Sequence, residues 1–275
     1  MAKIETLFSV RNKVIAITGG TGALGSEIAC FLAENGANVA LLDLNTTLQP
    51  HVGKRLQKAC GSFTVFRCNV LEKQSVHSGL EHILKTFGQV DVLINAAGGN
   101  HPQATTSNAL PFFDISEEAF DLVCRLNLHG TVIPSQIFAR YFVEKEQGVL
   151  LNISSMNAFR PLTRIPAYSA AKAAVSNFTQ WLAVHLAREY SPAIRVNAIA
   201  PGFFLTAQNR FLLIDEKSGE LTDRGKQIIA HTPAGRFGQP PDLMSTVVWL
   251  ISDASSFVTG ITVPVDGGFS AFSGV

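Results

Sequence analysis

Lys13-Val14-Ile15-Ala16-Ile17-Thr18-Gly19-Gly20-Thr21-Gly22-Ala23-Leu24-Gly25 decides the fold. A short run of apolar, largely β-branched residues passes directly into a glycine-rich turn. The turn opens a stretch at helical period, residues 24–34. Glycines between a strand and a helix permit a tight turn. They also let the backbone approach a pyrophosphate at the helix N-terminus. Strand, glycine turn and helix in that order carry far more weight than a glycine cluster alone.

Outward from this unit, strands are predicted over residues 38–42, 63–68, 90–95, 148–154, 194–200 and 262–265, after a first strand over 13–18. Most are rich in Val, Ile and Leu with little alternation, as in strands covered on both faces. Helical periodicity fills residues 24–34, 76–87, 117–142 and 170–190. The alternation predicts an α/β fold with a doubly wound parallel sheet, in a single domain spanning residues 1–275. The irregular stretch 203–241 follows a strand end, where a substrate loop or lid belongs; a solvated connector is the competing reading.

Composition narrows the function classes. Hydrophobic residues make up 47% of the chain, enough for a substantial core, and 22 basic against 21 acidic residues leave a net charge of +1. That balance offers no electrostatic footprint for nucleic acid or an anionic membrane. No apolar run approaches the length of a membrane span. The first ten residues hold Lys3 and Glu5 without an apolar stretch, so no secretory leader is expected there, and a cytoplasmic location is. Cys30, Cys60, Cys68 and Cys124 lack paired spacing and read as reduced, buried small residues. No metal site is expected, since no His, Cys and carboxylate cluster has ligand spacing.

Three further features carry chemistry. Asp43 ends the second predicted strand, eighteen residues beyond Gly25. An acidic side chain there accepts hydrogen bonds from ribose hydroxyls and repels a 2′-phosphate, which favours NAD over NADP. Tyr168 and Lys172 are four residues apart at the start of a helix, on one face. An adjacent ammonium favours the phenolate and so shifts the phenol toward a working range. Ser155 ends the fifth strand thirteen residues upstream, where a hydroxyl polarises a carbonyl.

On these elements, together with Asn95-Ala96-Ala97-Gly98, Leu126-Asn127-Leu128 and Pro201-Gly202, the sequence resembles the short-chain dehydrogenase/reductase family over essentially its whole length. The resemblance implies a Rossmann-type sheet of about seven strands in the order 3-2-1-4-5-6-7, and a catalytic set of Asn127, Ser155, Tyr168 and Lys172. Asn127 would help hold a proton-relaying water. For the cofactor it implies Gly19, Thr21, Gly22, Ala23, Leu24, Gly25, Asp43, Asn69, Val70, Asn95, Ala96, Ala97, Gly98, Pro201, Gly202, Phe204 and Thr206, with Tyr168 and Lys172 at the nicotinamide ribose. It also implies association as a homotetramer, in part through residues 266–275. Two positions depart from the family pattern. Ala23 stands where a glycine is usual, and Asn69 where an aspartate contacts adenine; its amide has a donor and an acceptor for that role.

Gly98-Gly99-Asn100-His101-Pro102, Ser154-Ser155-Met156-Asn157-Ala158-Phe159 and residues 201–210 are similar to the D-mannonate oxidoreductase (D-fructuronate reductase) branch of that family. The similarity implies a sugar-acid substrate. Asn100, His101, Ser155, Asn157, Arg164, Tyr168, Asn209 and Arg210 are the candidates to bind it, with an arginine for the carboxylate. Each arginine, and His101, also fits an ordinary solvated role. Another member such as a gluconate 5-dehydrogenase or a 3-ketoacyl reductase, or a non-catalytic nucleotide-binding regulator, are the other readings.

Overall fold

The computed structural model describes residues 3–206, 210–215 and 218–274. Among them, seven strands form one parallel sheet in the order β3-β2-β1-β4-β5-β6-β7. The strands are β1 (Val14–Thr18), β2 (Asn38–Asp43), β3 (Phe63–Arg67), β4 (Val92–Asn95), β5 (Gly148–Ile153), β6 (Ile194–Pro201) and β7 (Thr262–Val265). The helices are α1 (Ile4–Leu7), α2 (Ala23–Glu34), α3 (Pro50–Lys58), α4 (Lys73–Phe87), α5 (Glu117–Cys124), α6 (Gly130–Glu144), α7 (Pro166–Glu189), α8 (Arg210–Leu213), α9 (Asp223–Ala230) and α10 (Pro240–Ile251). The fold class and strand order are as the sequence implies, and each strand boundary lies within two residues of its predicted place. Helix α3, which opens on Pro50 and has only a short apolar face in Val52 and Leu56, was not foreseen.

Both faces of the sheet are covered, which is why its strands read as apolar runs. In β1, Ile15 and Ile17 point to a layer that holds Ile28 and Leu32 of α2 and Leu243 and Leu250 of α10. Val14 and Ala16 point to the opposite layer, with Leu80 of α4, Phe138 and Phe142 of α6, and Leu182 and Leu186 of α7. Alternation along a strand places successive side chains on opposite faces, so a run apolar at every position suits a sheet packed on both sides.

One predicted helix is two. The expected helix over 117–142 is interrupted at Arg125–His129 by a wider turn. The Asn127 side-chain amide donates to the Val123 carbonyl at 2.8 Å, the acceptor one helical turn back. It takes over a partner of the regular backbone ladder, which favours the local widening. The turn thereby brings Asn127, fully buried, to the C-terminal end of the sheet.

Strand β1 lies between β2 and β4, so the chain leaves it in opposite directions for the two halves of the sheet. Crevices outside the carboxyl ends of strands at such a reversal are where α/β proteins bind ligands. The described residues of segment 203–241 include α8 and α9, with Phe204 bridged to Gly238 and Ile214 to Leu221. Of the cysteines, Cys30 and Cys68 are buried as expected, whereas Cys60 is exposed, on the turn before β3. Among the described residues no helix is long and apolar enough to cross a membrane.

Candidate active site

The turn after β1 can be built only with glycine at three points. Gly19 has φ +64°, and a Cβ there would stand 2.8 Å from the Ala97 Cα; a Cβ on Gly20 would stand 2.8 Å from the Leu41 Cα, and one on Gly25 would collide with the Gly19 carbonyl. Gly22 caps α2 with no side-chain hydrogen bond, so no capping side chain occupies the first-turn N–H groups. Ala23 begins this helix, where its methyl group is accommodated. Asp43 is held from two sides. Thr21 N–H donates to its Oδ2 at 3.1 Å and Asn45 N–H to its Oδ1 at 3.2 Å. The Thr21 hydroxyl donates to the Asn45 carbonyl at 2.9 Å, which ties the glycine turn to the β2 end.

Beside these residues opens a cavity of about 750 Å³. Gly19, Gly22, Ala23, Leu24, Gly25, Asp43, Asn69, Val70, Ala96, Ala97, Gly98, Tyr168, Lys172, Gly202, Phe204 and Thr206, all expected from the sequence at the cofactor, line this one cavity. Three predicted residues are placed otherwise. Thr21 acts through the backbone and hydroxyl bonds just described. Pro201 ends β6 in the core. Asn95 points inward, donating to Ser135 Oγ at 3.0 Å and Asn152 Oδ1 at 2.9 Å, so its side chain joins β4 to α6 and β5. Leu122, Leu126, Ile153 and Phe203 also line the cavity and were missed, because apolar residues near a strand end carry no signal beyond that of a core.

The amide of Asn69 is engaged within its own turn. Its Nδ2 donates to Glu72 at 2.7 Å, and its Oδ1 accepts from Leu71 N–H at 3.1 Å. Both functions that the sequence reading left for adenine therefore also organise the approach to α4.

Helix α7 places Tyr168 and Lys172 one turn apart, and Ser155 follows β5 directly across from them. The Ser155 hydroxyl lies close enough to the Tyr168 phenol to act on it. Burial pushes the phenol above its ordinary pKa, with Ser155 acting in the opposite direction. This corrects the sequence expectation that Lys172 lowers it. The ammonium lies 5.5 Å from the centre of the Tyr168 ring and donates to the Ile153 carbonyl at 2.8 Å. Lys172 is 4% exposed, and burial brings its pKa down to about 8, because an ammonium loses its hydration there. Asn127 completes the group. Its Nδ2 donates to the Gly99 carbonyl at 2.7 Å, and its Oδ1 accepts from Gly99 N–H at 3.3 Å. A Cβ on Gly98 would stand 2.6 Å from Asn127 Oδ1 and 3.3 Å from Lys172 Nζ, so the missing side chain is what lets these groups approach.

A second cavity, of about 220 Å³, opens on the other side of Tyr168. Ser155, Met156, Asn157, Leu162, Ile165, Leu212, Leu213 and Arg224 line it, and Tyr168, Gly202 and Phe203 border both cavities. Of the predicted substrate residues, Ser155, Asn157 and Tyr168 meet here. Arg164 is exposed at the rim, close enough for its charge to act on Arg224. Arg210 is exposed at the start of α8. Asn100 donates to Thr105 Oγ1 at 2.8 Å, and His101 Nδ1 accepts from Gln103 N–H at 3.2 Å, so both organise their own loop and line neither cavity. Asn209 lies outside the described residues. Arg224 was not singled out; its only sequence signal was a basic residue within the long 203–241 stretch. Among the described residues no cluster of three or more His, Cys, Asp or Glu can hold a metal ion.

The family model described as enoyl-(acyl carrier protein) reductase, a short-chain dehydrogenase/reductase model, matches residues 20–270. The chain belongs to the short-chain dehydrogenase/reductase family. Within that family of oxidoreductases it is 46% identical to an uncharacterized oxidoreductase of Haemophilus influenzae, over 97% of this chain and 96% of the relative. It is 35% identical to the 2-dehydro-3-deoxy-D-gluconate 5-dehydrogenase of Dickeya dadantii, over 98% of this chain and 99% of the relative. A crystal structure from Haemophilus influenza, provisionally named a D-mannonate oxidoreductase and solved with bound NAD, superposes with a TM-score of 0.90. That protein is 44% identical, and the match covers 99% of this chain and 100% of that one. In this short-chain dehydrogenase/reductase the larger cavity lies beside the glycine turn and Asp43, and the smaller one opens beyond Tyr168.

Proposed function

We propose that this chain is an NAD(H)-dependent oxidoreductase that interconverts a secondary alcohol and a ketone on a sugar acid, D-mannonate and D-fructuronate. The observation that carries this reading is the position of Tyr168. It borders both cavities, with the glycine turn and Asp43 on one side and Ser155, Asn157 and Arg224 on the other. The likeness to the NAD-bound Haemophilus protein supports the substrate and the cofactor.

The residues fit the dinucleotide. The N–H groups of the first turn of α2 face the cavity for the pyrophosphate, at the positive end of the helix. The Asp43 carboxylate, oriented by two backbone N–H groups, retains lone pairs for ribose hydroxyls and opposes a 2′-phosphate. Held by these residues, a nicotinamide would supply or accept the hydride. The chain does the rest. The Ser155 hydroxyl holds the substrate oxygen beside the phenol. In ketone reduction Tyr168 O–H donates a proton to that oxygen; in alcohol oxidation the phenolate removes it. A phenol kept protonated by burial is ready for the first of these directions. Lys172 supplies positive charge behind the ring, and Asn127 holds the Gly98–Gly99 backbone at the site.

The small cavity, of about 220 Å³, places Asn157 and Arg224 beside Ser155 and Tyr168, a polar lining that suits a sugar acid better than a steroid or a long acyl chain. The Dickeya relative favours one further reading within the same chemistry, a deoxygluconate or gluconate 5-dehydrogenase. We also propose a homotetramer in which α7 contributes an interface, since Trp181 and Val184 are exposed along it. Light scattering of the purified protein measures that assembly.

Purified protein supplied with D-mannonate and NAD should form NADH, and with D-fructuronate should consume it. No turnover of either, beside brisk turnover of 2-dehydro-3-deoxy-D-gluconate or a 3-ketoacyl thioester, would sink the substrate assignment.

A further inference from the structure

Among the described residues, the arginines with buried groups or short contacts have partners, with one exception. Arg195 donates to the carbonyls of Leu250 at 2.9 Å and Ser252 at 3.0 Å. Arg55 pairs with Glu27 at 2.7 Å and Glu34 at 2.8 Å, and Arg236 with Asp242 at 2.6 Å. Arg224 lines the cavity beside Tyr168 and Ser155, yet no hydrogen bond or ion pair engages its guanidinium among the described residues. It is half-buried, and burial and the charge of Arg164 both hold its pKa below the ordinary arginine value. A partly desolvated guanidinium without a carboxylate partner, within reach of the charge of a second arginine, leaves a positive field that an anion would relieve.

A second observation concerns the same cavity. Asn157 is 4% exposed, and its Oδ1 has no hydrogen-bond partner. A buried amide oxygen left without a donor is costly, and a turn of the Asn157 amide toward the cavity it lines would let a ligand hydroxyl satisfy it. An unpaired cation and an unsatisfied acceptor, on opposite elements of one small cavity, match a molecule with both a carboxylate and hydroxyls.

The backbone that carries Arg224 is anchored. Thr222 caps α9 by accepting from Gly225 N–H at 3.1 Å, and its hydroxyl donates to the Leu212 carbonyl at 2.8 Å. Helices α8 and α9 are therefore joined into one flap, which presents Leu212, Leu213 and Arg224 to the cavity.

We infer that Arg224, with Arg164 beside it, receives the carboxylate of the substrate while Asn157 accepts from one of its hydroxyls, making Arg224 the residue that selects acids over neutral sugars. The inference rests on the sugar-acid reading and deepens it. In D-mannonate the carboxylate lies at the far end of the carbon chain from the reacting C5, so a cation on the flap reads one end while Tyr168 and Ser155 address the other.

The test compares each acid with its neutral counterpart, D-fructuronate with D-fructose in reduction and D-mannonate with D-mannitol in oxidation. It also measures the rise in Tm that D-mannonate, D-gluconate and D-mannitol each give the NAD-loaded protein. The wild type should prefer the acids. Arg224→Gln should lower that preference roughly 10- to 100-fold, mostly through KM, in keeping with loss of a charge-assisted hydrogen bond. It should also erase the acid-specific part of the Tm rise, and Arg224→Lys should restore part of both. NADH binding by each variant checks that the protein is folded. If D-mannonate is not a substrate but another sugar acid is, and Arg224→Gln erases the preference for that acid, the inference stands and the substrate assignment falls. An acid preference unchanged in Arg224→Gln, or absent from the wild type, overturns the inference.

Discussion

Lys172 and Ile153 are joined by a hydrogen bond of 2.8 Å from the buried ammonium to a carbonyl at the end of β5. The bond anchors the ammonium behind the Tyr168 ring, 5.5 Å from its centre, and removes it from solvent. A charge held in this way costs stability, and that cost depends on pH.

The sign follows from the proton count. Unfolded, Lys172 binds its proton up to the ordinary value of 10.5; folded, only up to about 8. Between these values the unfolded chain holds more protons, so stability of the cofactor-free protein should rise with pH from about 8 to 10.5. The gain is on the order of 3 kcal/mol. Lys172→Met should remove this slope and raise Tm at pH 7, while turnover is lost. Denaturant titrations across that pH range measure it; a wild-type stability that falls through the window would contradict the assignment.

Tyr168→Phe removes the proton donor and leaves the ring that borders both cavities. We expect kcat to fall roughly 10²- to 10⁴-fold, with NADH affinity close to that of the wild type. Because burial holds the phenol above its ordinary pKa, alcohol oxidation should accelerate as pH rises into the alkaline range, whereas ketone reduction should not. Steady-state rates in both directions, with a fluorescence titration of NADH, check the pair of statements.

Asp43 accepts from Thr21 N–H and Asn45 N–H and opposes a 2′-phosphate. Asp43→Asn keeps the side-chain size and removes the charge. It should weaken NAD and improve NADP, shifting the ratio of their kcat/KM values by about tenfold or more. An unchanged ratio would remove Asp43 from ribose recognition.

Gly25→Ala introduces a Cβ against the Gly19 carbonyl, with backbone on both sides of the collision. The turn must open to admit it. Stability should drop by roughly 1–3 kcal/mol and NADH binding should be lost or much reduced. Thermal melts with and without NADH separate the two effects. Gly53→Ala on exposed α3, where a Cβ would meet only the Leu48 side chain at 4.0 Å, is the control that should show neither.

Much of this was legible in the residues themselves. Val14–Thr18 followed by glycines had few alternatives, because an apolar run without alternation demands cover on both faces and only glycine permits the turn behind it. Spacing likewise paired Tyr168 with Lys172, since four residues make a helical turn. The break at Asn127 was not legible. Periodicity reports which face is apolar, not which carbonyl a buried amide will take.

By itself, then, the sequence determined the doubly wound sheet, the glycine turn, Asp43 at the end of β2 and the Tyr168–Lys172 spacing. Each depends on neighbours in the chain. Only the tertiary structure decided which way the phenol's pKa moves, because that depends on burial by distant elements. It also decided that Asn95 faces the interior and that His101 braces its own loop. Above all, it brought Arg224 from α9 to a cavity shared with Ser155 and Asn157 from the end of β5. Contacts between residues some seventy positions apart are set by how layers pack, and no local pattern encodes them.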